Sequence, residues 1–184
     1  MKFNFKIQQY QTDAVEAVVQ VFNGQLAHEK GYVYRHDIGK QKLDAQGTLD
    51  GYGEEVLDTG YGNEVIQLDD TQILKNIHQV QDYYNVKRSS ALDKSLGRCA
   101  LDIEMETGTG KTYVYIKTMF ELHKRYGWSK FIVVVPSIAI REGVRKSFEM
   151  LEEHFMEHYG QKARYFVYNS FNLNQLDSFA TNTG

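Results

Sequence analysis

The chain has 184 residues, 42% hydrophobic and 24% charged, with one Pro, one Cys and a formal net charge of −3. Composition this close to the globular average excludes a disordered, collagenous or coiled-coil chain. One Cys excludes a disulfide framework and any Cys-rich zinc module, and it makes a reducing compartment the default. No apolar run nears the ~18 residues of a membrane span, and the mild acidity excludes a strongly basic nucleic-acid coat.

Charge is unevenly placed. Residues 1–98 carry 11 Lys/Arg against 14 Asp/Glu, and residues 99–184 carry ten of each, so the whole −3 belongs to the first half. The start, Met1-Lys2-Phe3-Asn4-Phe5-Lys6, has no secretory apolar region, so the expected location is cytoplasmic.

In chain order, the first predicted element is a helix from about Gln8 to Asn23, with Val15, Val18, Val19 and Phe22 on one face and Gly24 as its stop. A stretch from 28 to 70 follows. Between Leu43 and Leu74 it holds Asp44, Asp50, Glu54, Glu55, Asp58, Glu64, Asp69 and Asp70 and no Lys or Arg, with Gly47, Gly51, Gly53, Gly60 and Gly62 among them. Such a run reads as a solvated, loop-rich insertion with irregular loops or short hairpins. A second helix is predicted over about Thr71–Tyr84 after an Asp69-Asp70 start, with Ile73, Ile77, Val80 and Tyr84 at helical spacing.

Strands and helices alternate from there. Ala100–Met105 alternates Leu101, Ile103 and Met105 with acidic residues, and a helix follows Gly110 and runs to about Tyr126, ending at Gly127. Phe131–Val135 is a continuous apolar run, the pattern of a strand buried on both faces of a parallel sheet. A fourth helix, about Ile138–Tyr159, carries Ile140, Val144, Phe148, Leu151 and Phe155 in one stripe, and a short strand at Arg164–Tyr168 precedes a polar tail. Residues 100–168 therefore read as a βαβαβ unit with right-handed crossovers.

Between the first of those strands and its helix stands Met105-Glu106-Thr107-Gly108-Thr109-Gly110-Lys111-Thr112. It fits the phosphate-loop pattern G-x-x-x-x-G-K-[ST] at its last three positions, with Met105 in place of the opening glycine. Gly108 and Gly110 allow the tight turn that brings backbone N–H groups to phosphate oxygens. The following helix points its positive end at the same anion. Lys111 can reach the β- and γ-phosphates, and Thr112 can place a hydroxyl on Mg2+. ATP with Mg2+ is the expected ligand, with Thr107, Gly108, Thr109, Gly110, Lys111 and Thr112 around it and Lys111 in the catalytic role.

The wording Thr107-Gly108-Thr109-Gly110-Lys111-Thr112 resembles motif I of superfamily 2 helicases and translocases. Gln11, in Tyr10-Gln11-Thr12-Asp13-Ala14-Val15, resembles the Q-motif glutamine of that superfamily, whose amide reads the adenine edge. Val133–Val144 stands where motif Ia lies, so the resemblance implies contacts from Pro136, Ser137 and Arg141 to the DNA backbone. More narrowly, Ile103–Tyr115, Pro136–Val144 and Ile73-Leu74-Lys75-Asn76-Ile77 resemble the Res subunit of type III restriction-modification enzymes, where Met at position 105 is normal. That resemblance implies an ATP-dependent motor on double-stranded DNA, a DNA methyltransferase (Mod) partner and a nuclease domain farther along.

No Asp-Glu box follows Lys111. The carboxylates that hold Mg2+ and position water are thus absent, and the expectation is ATP binding with little or no hydrolysis by this chain alone. The later helicase motifs and a second RecA-like domain are absent too, so the chain reads as the N-terminal part of a longer polypeptide.

Other signals carry less. His154-Phe155-Met156-Glu157-His158 satisfies the zinc-peptidase pattern H-x-x-E-H, but it lacks a third ligand with suitable spacing and reads as solvated helix-end histidines. Asp102 and Glu104 read as surface or ion-pair residues, Glu106 as solvent-facing and Cys99 as a small core residue. Tyr10 is either an adenine-stacking or a core aromatic.

The expected architecture is an incomplete three-layer α/β P-loop NTPase (RecA-like) domain with a parallel sheet. Within 1–184, residues 1–27 form the Q-motif-like helix, 28–70 the insertion, 71–98 a helix and linker, and 99–184 the phosphate-loop βαβαβ unit. Three alternatives stand beside the restriction motor: a fragment of another superfamily 2 DNA helicase, a non-catalytic nucleotide-binding module, and a zinc hydrolase.

Overall fold

The computed structural model describes residues 5–27, 33–35, 60–168 and 179. Its elements are α1 (Gln9–Val21), β1 (Val33–Arg35), β2 (Gly60–Gly62), α2 (Asp70–Tyr83), α3 (Lys111–Tyr126) and α4 (Ile138–Tyr159). All four helices stand where apolar spacing and end signals put them. Asp69 caps α2 by accepting from Gln72 N at 2.7 Å, and Ser137 caps α4 by accepting from Ile140 N at 3.3 Å. Each hydroxyl or carboxylate satisfies an N–H that the helix cannot pair internally. Gly127 and Gly160 close α3 and α4 at φ +73° and +70°, where a side chain would be strained.

Helix α3 lies at the centre, with α1 on one side and α4 on the other. One cluster joins Val15, Val19 and Phe22 of the first helical region to Ile73 and Ile77 of α2 and to Val114, Leu122, Tyr126 and Trp128. A smaller cluster on the opposite face of α3 joins Ile116 to Leu151 and Phe155 of α4. Asn76, 2% exposed, ties α2 to the end of α1 by donating to the Val21 and Asn23 carbonyls, both at 2.9 Å. This satisfies carbonyls left open at the helix end.

The acidic insertion lies largely outside the described residues. Its two described borders pair as an antiparallel ladder, Val33 opposite Gly62, Tyr34 opposite Tyr61 and Arg35 opposite Gly60. The stretch after β2 packs inward, with Ile66 and Leu68 against the first cluster. The Asn63 amide grips the backbone beyond α3: its oxygen accepts from Ser129 N and Lys130 N at 2.9 Å, and its nitrogen donates to Lys130 O at 2.7 Å.

The predicted parallel sheet is not seen among the described residues. Among the described residues the β1–β2 pair is the only sheet, and segments 100–105, 131–135 and 164–168 run without strand pairing. Ile132 is 82% exposed and Val134 87%. An apolar strand of a parallel sheet is settled by ladder partners on both edges and helices on both faces. Here α3 and α4 pack on side chains instead, and no backbone hydrogen bond joins the three segments to one another. No helix among the described residues is long and apolar enough to cross a membrane.

Candidate functional site

The loop before α3 is shaped by its two glycines. Gly108 and Gly110 take φ of +83° and +85°, the left-handed region where a Cβ costs about 1–2 kcal/mol. At Gly110 there is a second constraint, because an added Cβ would stand 2.5 Å from Gln11 Nε2. No side chain caps α3 at this end, so its first-turn N–H groups and the positive end of the helix dipole face the loop. Inside the loop, Thr109 Oγ1 donates to Glu106 O at 2.6 Å, and Lys111 Nζ donates to the same carbonyl at 2.9 Å. Thr107, Gly108 and Lys111 are exposed, and Thr112 is half-buried at the first turn of α3.

Helix α1 brings its first turn to this loop from 98 residues away in the chain. Gln11 Nε2 donates to Thr109 O at 2.9 Å, and Tyr10 Oη donates to the same carbonyl at 3.2 Å. The two sequence features singled out for nucleotide recognition, Gln11 and residues 107–112, therefore meet. Tyr10 is 49% exposed, which removes the core-aromatic reading. One amide hydrogen of Gln11 is committed to the loop, and its carbonyl oxygen carries no protein hydrogen bond in the described set, so the side chain retains donor and acceptor capacity for a ligand edge.

The α1–α3 contact that supports this geometry is polar as well as apolar. Lys117 Nζ donates to Thr12 Oγ1 at 3.1 Å, and the Tyr126 hydroxyl donates to Val19 O at 3.0 Å. Arg125 reaches Glu16 with both terminal nitrogens, one at 3.0 Å. Burial by itself raises the Glu16 carboxyl, but its bonds from Arg125 and Gln20 hold it below the usual range. Burial pushes the Lys117 ammonium down, against the pull of Glu121 and Glu16.

The predicted DNA-facing residues sit at the other end of the picture. Pro136 and Ser137 are exposed and lead into α4, and Ser137 spends its oxygen on the Ile140 cap. Arg141 Nη2 pairs with Glu142 Oε1 at 3.4 Å. Among the described residues no hydrogen bond or ion pair ties these three to the 105–112 loop.

The histidine pair differs from its sequence reading. His154 is not solvated but 8% exposed. Its ring lies against Phe5, with centroids 5.5 Å apart, and its Nε2 stands 3.1 Å from the Tyr113 hydroxyl. His158, one turn on, is exposed and bonds the His154 carbonyl at 2.8 Å. No group of three or more His, Cys, Asp or Glu side chains among the described residues is arranged to hold a metal ion. Asp102, Glu104 and Glu106 are exposed, and Cys99 is half-buried against the first cluster, where burial raises its thiol.

Sequence reasoning passed over Lys117 and Thr12. The available signal was a lysine set between Val114 and Leu122, on the face of α3 whose neighbours are apolar.

The residues present fit a nucleoside triphosphate with Mg2+. The loop is open at Gly108, where an added Cβ would meet nothing within 4 Å, open N–H groups face it, and an exposed ammonium and a hydroxyl stand at its mouth. Comparison with known proteins points the same way. The family described as "Type III restriction enzyme, res subunit" matches residues 4–175. The chain is similar to the type III restriction-modification enzyme EcoP15I Res subunit of Escherichia coli, 39% identical over 111 residues, which is 59% of this chain and 11% of that protein. It is 37% identical over 111 residues to the EcoPI Res subunit of Escherichia phage P1, with the same coverage. A third similarity, 51% over 61 residues, is to the StyLTI Res subunit of Salmonella typhimurium, covering 32% of this chain and 6% of that protein.

Proposed function

This chain belongs to the type III restriction enzyme Res-subunit family, and we propose that it builds the ATP-binding part of that subunit's DNA-translocating motor. The family is one of helicase-like P-loop NTPases. The matched stretch covers 11% of the length of the EcoP15I and EcoPI relatives, so the activity of a whole subunit is carried here as proposal. The single observation that supports the reading is the 2.9 Å bond from Gln11 to Thr109, which brings the Gln11 amide to the 107–112 loop.

In this reading the N–H groups of residues 108–112 and the Lys111 ammonium take the triphosphate, and the Thr112 hydroxyl takes Mg2+. Gln11 reads the adenine edge. Bound Mg-ATP supplies the phosphoryl-transfer energy of the motor. Residues 100–105, 131–135 and 164–168 take the places of parallel strands of the motor domain, a role in keeping with the exposed apolar side chains of Ile132 and Val134. Pro136, Ser137 and Arg141 at the start of α4 face the backbone of double-stranded DNA, and a DNA methyltransferase (Mod) subunit is the partner. With no Asp-Glu box after Lys111, the chain on its own binds ATP without turning it over.

Titration calorimetry with Mg-ATP tests this. The expected result is saturable binding, no phosphate release, and about 100-fold weaker binding in Lys111→Ala, the scale of a lost charge-assisted contact to phosphate. A folded chain that takes up no Mg-ATP, or a Lys111→Ala variant that binds as well as the parent, contradicts the reading.

A further inference from the structure

A nucleotide site made from two distant segments needs something to hold them in register. The loop is fixed to α3 by covalent continuity, but Gln11 reaches Thr109 only if the first turn of α1 is held against α3. The apolar contacts of α1 begin farther along, at Ala14 and Val15, and contacts of that kind permit sliding and rotation. The Arg125–Glu16 pair and the Tyr126–Val19 bond also lie beyond that first turn. At the turn itself, among the described residues, Tyr84 Oη reaches the Asp13 carbonyl from the end of α2 at 2.9 Å, and the side-chain hydrogen bond from α3 is that of Lys117 with Thr12.

Its geometry is directional. Thr12 Oγ1 accepts from Lys117 Nζ at 3.1 Å and donates to Gln8 O at 3.4 Å, so the hydroxyl joins α3 to the carbonyl that opens α1. The turn closed in this way, Gln8 to Thr12, contains Tyr10 and Gln11, both bonded to Thr109 O. Lys117 is 9% exposed, and its ammonium stands 6.0 Å above the centre of the Tyr113 ring. Tyr113 directly follows Thr112 of the phosphate loop. Lys117 thus touches both α1 and the first turn of α3. A buried lysine is costly to keep, since its charge must leave water, and a Met in its place would fill the same volume.

We propose that Lys117 is a positioning residue for base recognition. Through Thr12 it sets the register of α1 against the phosphate loop, and so holds the Gln11 amide where it discriminates adenine. The inference rests on the nucleotide-site reading above and adds to it a residue that touches neither base nor phosphate. Removing Lys117 leaves the triphosphate cradle intact and frees the base-reading turn, so selectivity falls while phosphate affinity stays.

The test measures the affinity of the 184-residue chain for Mg-ATP, Mg-GTP and Mg-tripolyphosphate, in the parent and in Lys117→Met, Thr12→Val and Thr12→Ser. The parent is expected to prefer ATP to GTP. Lys117→Met and Thr12→Val are expected to lower that preference about tenfold, the scale of one charge-assisted hydrogen bond. Both keep tripolyphosphate affinity, and Thr12→Ser, which retains the hydroxyl, keeps the preference. Thr12→Val reads the same contact from the α1 side if Lys117→Met does not fold. A parent that selects ATP with variants that select it equally leaves the nucleotide site standing and overturns the role of Lys117. A parent with no preference overturns base reading by Gln11 and this inference with it. A parent that binds none of the three overturns the nucleotide site itself.

Discussion

The two faces of α3 and the segments that flank it are stabilised in opposite ways. Toward α1, side chains close on one another: Val15, Val19, Ile73 and Val114 are all 3% exposed or less, and hydrogen bonds from Lys117 and Tyr126 join the two helices. The extended segments on either side of α3 hold equally apolar side chains, yet Ile103, Ile132 and Val134 stand in water at 46%, 82% and 87% exposure. A helix satisfies its own backbone and needs only a face to bury, whereas a strand needs a second strand before its hydrogen bonds exist. The candidate site draws on the first kind of region. Its loop and its glutamine are joined by the bonds of Tyr10 and Gln11 from α1 to Thr109 O, its lysine is bonded to Glu106 O within the loop, and it is formed without the sheet.

The sharpest way to break this contrast is through the buried face. Ile73, fully buried, is expected to cost about 2–5 kcal/mol as Ile73→Ala, read from a denaturant unfolding curve. A loss under 1 kcal/mol would mean that α2 is not part of a packed core.

Gly110→Ala comes next. Its φ of +85° and the 2.5 Å approach to Gln11 act together, so the variant is expected to lose about 1–2 kcal/mol and to weaken Mg-ATP binding as Gln11 is pushed from Thr109. The unfolding curve reports the first effect and titration calorimetry the second. Unchanged affinity with unchanged stability would separate the loop from α1.

A smaller effect is expected in the pH dependence. Burial, with His158 and Lys117 close by, lowers the proton affinity of His154 below its ordinary value of 6.5. In the unfolded chain the ring takes its proton as pH falls through about 6.5, while in the folded chain it stays neutral to lower pH. Stability from this group is therefore complete above 6.5 and is lost on acidification toward the folded value. His154→Gln is expected to flatten the fall in unfolding midpoint between neutral and mildly acidic pH. An unaltered slope would place the ring in solvent, as its sequence context implied.

The smallest effect should be in the exposed run. Val134→Thr is expected to move stability by no more than about 0.5 kcal/mol, the range of surface substitutions. A larger loss would mean that 131–135 is buried in a paired strand and would erase the contrast.

These differences explain what could be read from the amino acids and what could not. The bounds of α3 and α4 were legible because they are local: Gly110 and Gly127 bracket one, and Ser137 and Gly160 the other. The meeting of Gln11 with residues 107–112 was legible only as two motifs with a shared purpose, since nothing in their spacing states a contact across 98 residues. Phe131–Val135 was read as a buried strand on composition alone, yet strand burial is decided by neighbours that composition does not specify. His154 was misjudged for a related reason. Phe5, Tyr113 and Phe155 converge on it from three parts of the chain, and the helix periodicity reports only one of them. Lys117 went unnoticed because a lone lysine on an apolar face is ordinarily a solvated charge whose stem packs along it.

The central claim is that α1 and the phosphate loop form a single nucleotide site. Amide hydrogen exchange of the chain with and without Mg-ATP tests it most directly. The account predicts joint protection of the amides of Gly108–Thr112 and of the first turn of α1, around Tyr10–Asp13, both lost in Lys111→Ala. Protection of the loop alone, or of neither segment under conditions that keep the helices folded, would contradict it.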